Sequence, residues 1–210
     1  MKYEIIPSLL SVEKKAQHAL DMIKKSARSV HIDVMDGIFV DQKAFSVDKV
    51  MNLRTGLKKT VHLMVVDPEG EFMEYALWGA DTIIFHIEAV KKPALLISKI
   101  KNEEVKAGIC LSPKTSVEKI KPFLDSIDVV LVMTVEPGKG GQELMLPMLD
   151  KIRALRKLKK NLDIEVDGGI TLKNIKQVKE AGANRFVVGT EIFGQKDPLK
   201  AIELLKKEIS

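Results

Sequence analysis

Short apolar, β-branched runs alternate along the whole chain with longer stretches of helical periodicity, and each pair recurs after roughly 20 to 30 residues. The runs predict strands at Ile5 to Ser8, Ser29 to Val34, Thr60 to Val65, Thr82 to His86, Lys106 to Leu111, Val129 to Thr134, Asp163 to Val166 and Arg185 to Val188. Helical patterns fall between them, at Val12 to Lys25, Val47 to Leu53, Glu69 to Trp78, Pro93 to Lys101, Val117 to Phe123, Leu144 to Lys160, Leu172 to Ala181 and Pro198 to Lys207. Gly79, Gly182 and Asn102 stand where helices should end, and Asp67-Pro68, Ser112-Pro113 and Asp197-Pro198 where they should begin. No linker or low-complexity stretch divides residues 1–210, so the eight βα units are expected to share one core in a single domain. Eight parallel strands with right-handed crossovers predict an α/β fold closed as a (β/α)8 TIM barrel, with an open doubly wound sheet as the alternative. In such a barrel the chemistry belongs at the C-terminal ends of the strands.

Composition supports this class: aromatics are only 5% of the residues, and Ile, Leu, Val and Ala supply much of the apolar content, as strands covered on both faces by helices require. The net charge of +5 raises the question of nucleic acid. The basic residues, however, are scattered along helices, as in Arg153 to Lys160 and Lys200 to Lys207, without the interleaved aromatics of a single-strand binder, so no nucleic-acid partner is expected. The single cysteine, Cys110, sits in an apolar run and reads as a buried structural thiol of a reducing compartment. Pro7 interrupts any leader-like apolar start and no later stretch has the length of a membrane span, so the expected location is cytoplasmic, with no membrane partner. A homo-oligomer is expected.

Three of the four histidines fall in predicted strands: His31, His62 and His86. Strand side chains alternate in direction, so His31 and Asp33 point the same way, as do His62 and Met64, and Glu165 and Asp167. If that way is inward, His31, Asp33, His62 and Asp167 converge at one barrel mouth and offer two imidazoles and two carboxylates. This set suits one divalent metal ion, Zn, Fe(II), Mn or Co, and does not choose among them. Two carboxylates in an apolar mouth would be costly without a cation to offset them. The competing reading makes each aspartate a cap for backbone N–H groups; His18, in the first amphipathic helix, reads as a surface or packing residue outside this set. Glycines provide a second signal, at Gly138, Gly140 and Gly141 after strand six, Gly168 and Gly169 after strand seven, and Gly189-Thr190 after strand eight. Without a Cβ in the way, backbone N–H groups can approach a phosphate there, and the last two loops are the usual phosphate seat of such barrels.

Taken together, the segments Pro7-Ser-Leu-Leu-Ser, His31-Ile-Asp-Val-Met-Asp-Gly, Val61-His-Leu-Met, Met133-Thr-Val-Glu-Pro-Gly-Lys-Gly-Gly-Gln, Glu165-Val-Asp-Gly-Gly and Gly189-Thr-Glu-Ile-Phe closely resemble the ribulose-phosphate 3-epimerase family almost from end to end. The resemblance implies a (β/α)8 barrel that epimerises a sugar phosphate, with His31, Asp33, His62 and Asp167 as metal ligands and the two aspartates doubling as the acid-base pair. It also implies that Ser8 touches the substrate, and that Met35, Met64 and Met133 line the reacting centre beside His62. The expected reaction is D-ribulose 5-phosphate to D-xylulose 5-phosphate, by two-base proton transfer through an enediolate, as in the pentose phosphate pathway.

The chain departs from the family pattern in two places. Asp41-Gln42 stands where the family usually has Pro-Asn, and Glu136-Pro-Gly-Lys139 replaces Asn or Asp followed by Pro-Gly and an aromatic. These changes leave the reaction type intact and open the identity of the sugar, because allulose 6-phosphate 3-epimerase shares the same motifs. A barrel that binds sugar phosphates without catalysis is a further alternative. A decarboxylase of the orotidine-phosphate type is disfavoured, because its Asp-x-Lys-x-x-Asp array lacks a counterpart in Asp33-Val-Met-Asp.

Overall fold

In the run Ser29 to Asp36, Val30, Ile32 and Val34 turn one way, into a large apolar layer, while His31, Asp33 and Met35 turn the other. The same alternation gives every long strand an apolar outer face for the helices and an inner face for the barrel interior. The computed structural model describes residues 2–210. Its strands are β1 (Glu4–Pro7), β2 (Ser29–Asp36), β3 (Lys43–Ala44), β4 (Lys58–Met64), β5 (Thr82–His86), β6 (Lys106–Leu111), β7 (Val129–Met133), β8 (Asp163–Asp167) and β9 (Arg185–Val188). The helices are α1 (Ala16–Ile23), α2 (Val47–Met51), α3 (Pro68–Leu77), α4 (Pro93–Asn102), α5 (Met148–Leu158), α6 (Ile175–Ala181), α7 (Thr190–Phe193) and α8 (Pro198–Ile209).

The sheet runs β1-β9-β8-β7-β6-β5-β4-β2-β3, parallel throughout except for the last pair. A parallel bridge between Ser8 and His31, with the Leu9 N–H donating to the His31 carbonyl at 3.1 Å, joins β1 to β2 and closes the ring. The eight predicted strands are all present, and closure rules out the open-sheet alternative. The barrel interior is divided: Ile84, Cys110, Val129, Leu131, Met133 and Val135 form an apolar cluster on one side. Beside it lie Glu165, His31, Asp33, His62 and His86, all buried.

Two predicted helix starts hold: the Asp67 carboxylate accepts from the Gly70 N–H, and Asp197 from that of Lys200, each with a proline in the first turn. Ser112-Pro113 instead enters a turn, and Ser116 caps the next segment. That segment, Val117–Phe123, is a 3-10 helix with Pro122 inside it, where the proline ring and its missing N–H disfavour a continuing α-helix. The predicted Leu144 to Lys160 helix begins only at Met148, immediately after Pro147, which leaves residues 142–147 as a loop over the barrel mouth. The first helix likewise breaks into a 3-10 segment, Leu10–Lys15, with non-helical geometry at Val12, followed by α1. Hairpin β3 was not predicted; Met35 and Asp36 pair with Ala44 and Lys43. No helix among the described residues is long and apolar enough to cross a membrane.

Candidate metal centre and active site

At the C-terminal end of the barrel, β2 delivers His31 and Asp33, β4 delivers His62, and β8 delivers Asp167. Asp33 and His62 are neighbours in the β2–β4 register. One ligand atom from each of the four residues lies within 4.8 Å of the other three. His31 Nε2 is 3.2 Å from Asp33 Oδ1 and 3.8 Å from Asp167 Oδ2, and His62 Nδ1 is at the same two distances from the same two oxygens. The four residues named from the sequence are therefore brought together.

Among the described residues, two buried side-chain polar atoms have no hydrogen-bond partner, the Tyr75 hydroxyl and His31 Nε2, and only the second lies in this cluster. An orphaned imidazole nitrogen is costly, and one that lies 3.2 Å and 3.8 Å from two carboxylates without bonding to either is suited to a cation placed among them. Its other nitrogen, Nδ1, lies 3.0 Å from Glu165 Oε1; against the effect of burial, Asp33 and Glu165 raise the His31 pKa well above the ordinary imidazole value, and a cation among the carboxylates would take the place of the Nε2 proton while Nδ1–H stays on Glu165. Two nitrogens and two oxygens at these separations fit a divalent transition ion.

The carboxylates are held in opposite states. Burial would raise the Asp33 pKa, but His31 and His62 outweigh it and hold the group well below the usual carboxylate range. Burial, reinforced by the negative charges of Asp33 and Glu165, pushes Asp167 up to about 8. One ionised and one protonated carboxyl at neutral pH is the pairing that a proton relay between two faces of a substrate requires. A divalent cation here would favour the ionised form of both. His62 is pushed down to about 4, chiefly by burial, and stays a neutral imidazole at pH 7.

Above the cluster opens a cavity of about 510 Å³. Asp33 and Asp167 reach its floor, with Ser8 and the three methionines Met35, Met64 and Met133 around them. Ser8 Oγ donates to Asp33 Oδ2 at 2.8 Å, fixing the carboxylate edge that does not face the histidines. Gly138, Gly140 and Gly141 line the cavity from the loop after β7, Gly168 and Gly169 from that after β8, and Gly189 and Thr190 from the end of β9. His31 and His62 do not enter its wall; they lie fully buried beneath it. Of the departures from the family pattern, Lys139 lines the cavity, whereas Glu136 is exposed and faces Lys114 at 3.8 Å. Asp41 and Gln42 are exposed beyond Val40.

Gly168 and Gly169 have φ of +114° and +66°, and a Cβ on Gly169 would run into the backbone of Gln142 and Leu144 in the overlying loop. Gly169→Ala is expected to cost about 1–3 kcal/mol of stability, the range for a residue forced into left-handed geometry, and urea unfolding measures it.

Sequence reading missed the residues behind the histidines. Arg185 Nε donates to Glu165 Oε2 at 2.8 Å, and its Nη1 donates to Glu4 Oε2 at 2.9 Å. On the other side, His62 Nε2 is 3.0 Å from His86 Nε2, and His86 Nδ1 is 3.3 Å from Glu88 Oε2. Asp36 was also overlooked: it accepts from the Ile38, Phe39 and Val66 N–H groups and so fixes the hairpin beside the mouth. The available signals were His86 as a third strand histidine and the spacing of Glu165 and Asp167, which two residues apart on one strand share the inner face.

The sequence profile of the ribulose-phosphate 3 epimerase family matches residues 4–193. Ribulose-phosphate 3-epimerase of Schizosaccharomyces pombe is 39% identical over 216 residues, covering 98% of this chain and 93% of that protein. The Bacillus subtilis protein of the same name is 39% identical over 212 residues, covering 97% and 98%. Among solved structures, orotidine 5'-monophosphate decarboxylase from Sulfolobus solfataricus has a TM-score of 0.69 over 99% of this chain and 98% of its own, at 17% identity, which shows a shared barrel fold. With the family profile spanning nearly the whole barrel and full-length relatives at this identity, the chain belongs to the ribulose-phosphate 3-epimerase family.

Proposed function

We propose that this chain epimerises D-ribulose 5-phosphate to D-xylulose 5-phosphate at C3, with Asp33 and Asp167 as the two proton-transferring groups. The observation that carries the reading is the pair itself: two carboxyls, one from β2 and one from β8, on the floor of one cavity. Inverting a carbon next to a carbonyl needs the proton removed from one face and another supplied to the opposite face. An ionised Asp33 and a protonated Asp167 meet that demand in one direction, and exchanged states meet it in the other. Ser8 holds Asp33 by one oxygen, so the carboxylate cannot rotate away from the substrate. Met35, Met64 and Met133, each buried, surround the reacting carbon with polarizable surface and keep water from quenching the enediolate. The glycines of the last two loops let backbone N–H groups approach the phosphate, and Lys139 adds positive charge to the cavity wall.

His31, Asp33, His62 and Asp167 would hold the divalent metal ion. When bound, such an ion supplies electrostatic stabilisation to negative charge on the substrate oxygens, an effect often worth several kcal/mol. The orphaned His31 Nε2 supports this assignment.

A proton NMR assay offering ribulose 5-phosphate and allulose 6-phosphate side by side tests reaction and sugar together. Inversion of the five-carbon substrate is expected to dominate. Preferential turnover of the six-carbon sugar would reassign the substrate, and inversion of neither would reject the reading. Stripping metal, verified by elemental analysis, is expected to abolish turnover and re-addition to restore it; full activity in stripped protein would remove the ion from the scheme.

A further inference from the structure

His31 and His62 are not supported alike. Behind His31 a carboxylate, Glu165, meets Nδ1 directly at 3.0 Å. Behind His62 stands a second imidazole, with the His62 and His86 Nε2 atoms 3.0 Å apart and the rings nearly parallel at 18°. Both histidines are fully buried. Two nitrogens at that distance share one proton, so one ring donates and the other accepts.

The far side of His86 decides which. Its Nδ1 faces Glu88 Oε2 at 3.3 Å and Ser112 Oγ at 3.2 Å. The Glu88 carboxylate is itself fixed: its Oε1 accepts from the Ser112 N–H at 3.1 Å and from the Thr115 hydroxyl. An ionised carboxylate is only an acceptor, so His86 Nδ1 carries a proton toward it. His86 Nε2 then has a free lone pair and accepts from His62 Nε2–H. The consequence reaches the site, where His62 Nδ1 lies 3.2 Å from Asp33 Oδ1: a proton held on Nε2 leaves Nδ1 bare for a cation, in competition with the Nδ1–H bond to Asp33 that the metal-free chain also allows. The opposite tautomer would place a proton where a metal must bind.

We propose that Glu88 and His86 are positioning residues that lock His62 in its Nδ1-ligating tautomer, Glu88 acting through His86. This rests on the metal centre proposed above. Carboxylate groups behind ligating histidines commonly account for 10 to 100-fold in metal affinity, and here that influence is passed through one additional ring.

The test uses the whole chain with Zn2+ as probe. His86→Leu removes the acceptor, and His86→Gln keeps a polar atom near the former Nε2. Expected are a Zn2+ dissociation constant, from chelator competition, about 10 to 100-fold weaker for His86→Leu, and affinity restored to near wild type in His86→Gln. Glu88→Gln is expected to weaken binding in the same direction. Histidine side-chain nitrogen NMR of the metal-free chain reads the tautomer directly: the fraction of His62 protonated on Nε2 is expected to be larger in wild type than in His86→Leu. A folded His86→Leu chain with unchanged affinity and unchanged tautomer overturns the proposal. If His86→Leu does not fold, an unchanged tautomer and affinity in Glu88→Gln overturn it instead. Cys110 also lies within ligand reach of His62 and His86. A second zinc per chain that disappears in Cys110→Ser would make His86 a ligand and likewise overturn the positioning role. If wild type takes up no Zn2+, the metal centre falls, and the tautomer measurement still decides the role of His86.

Discussion

Asp33→Asn and Asp167→Asn are each expected to lower kcat by about 10³-fold or more, at the upper end of what one acid-base group contributes. An amide keeps the shape of the carboxyl but can neither take nor return a proton at neutral pH. The two variants should nevertheless differ. In deuterated solvent, the variant that retains the group facing the C3 proton of ribulose 5-phosphate is expected to exchange that proton without inverting the carbon. The other variant should show this one-sided exchange only with xylulose 5-phosphate. Both variants also lose an oxygen ligand, so metal content must be measured alongside. Turnover near wild type in either variant would refute the two-base scheme.

Arg185→Met is expected to be the most destabilising single change within the barrel, at about 3–5 kcal/mol, because it leaves a buried charge without its partner. Glu165 is completely buried, and although burial alone would raise its pKa, Arg185 and then His31 hold it down to about 2. Without the guanidinium, Glu165 must take up a proton or remain charged beside Asp167. Urea unfolding measures the loss. The double variant Glu165→Gln/Arg185→Met is expected to recover much of it, since it buries no net charge, and a single variant as stable as the parent would show that Arg185 supports nothing. Zinc affinity should fall too, because a protonated Glu165 no longer orients His31 as a carboxylate does.

The barrel and the four-residue centre were legible for one reason: both are written in the period of two. His31 and Asp33 lie two apart on one strand, His62 and Met64 on the next, and any closed sheet turns such pairs to a common side. What was not legible depends on partners distant in the chain. Arg185 opens an otherwise apolar strand, Arg-Phe-Val-Val, where a charge ordinarily marks the solvent end; only the folded barrel shows it between Glu165 and Glu4. His86 was visible as a third strand histidine, but its tie to His62 depends on ring orientation. The β3 hairpin spans two residues, too few for any periodicity. The 3-10 segment at Val117–Phe123 has an apolar pattern that also fits an α-helix, and Pro122 was the overlooked sign.

The bridge that closes the ring joins Ser8 to His31, while the Ser8 N–H donates to the Val188 carbonyl of β9 at 3.0 Å. The seam of the barrel is thus laid through the site itself. A chain emerging from the ribosome cannot complete this pocket until residue 188 is free to pair, although His31, Asp33 and His62 were made long before. Closing the barrel and completing the pocket therefore draw on the same residues, since Ser8 and the β9 end both line the cavity.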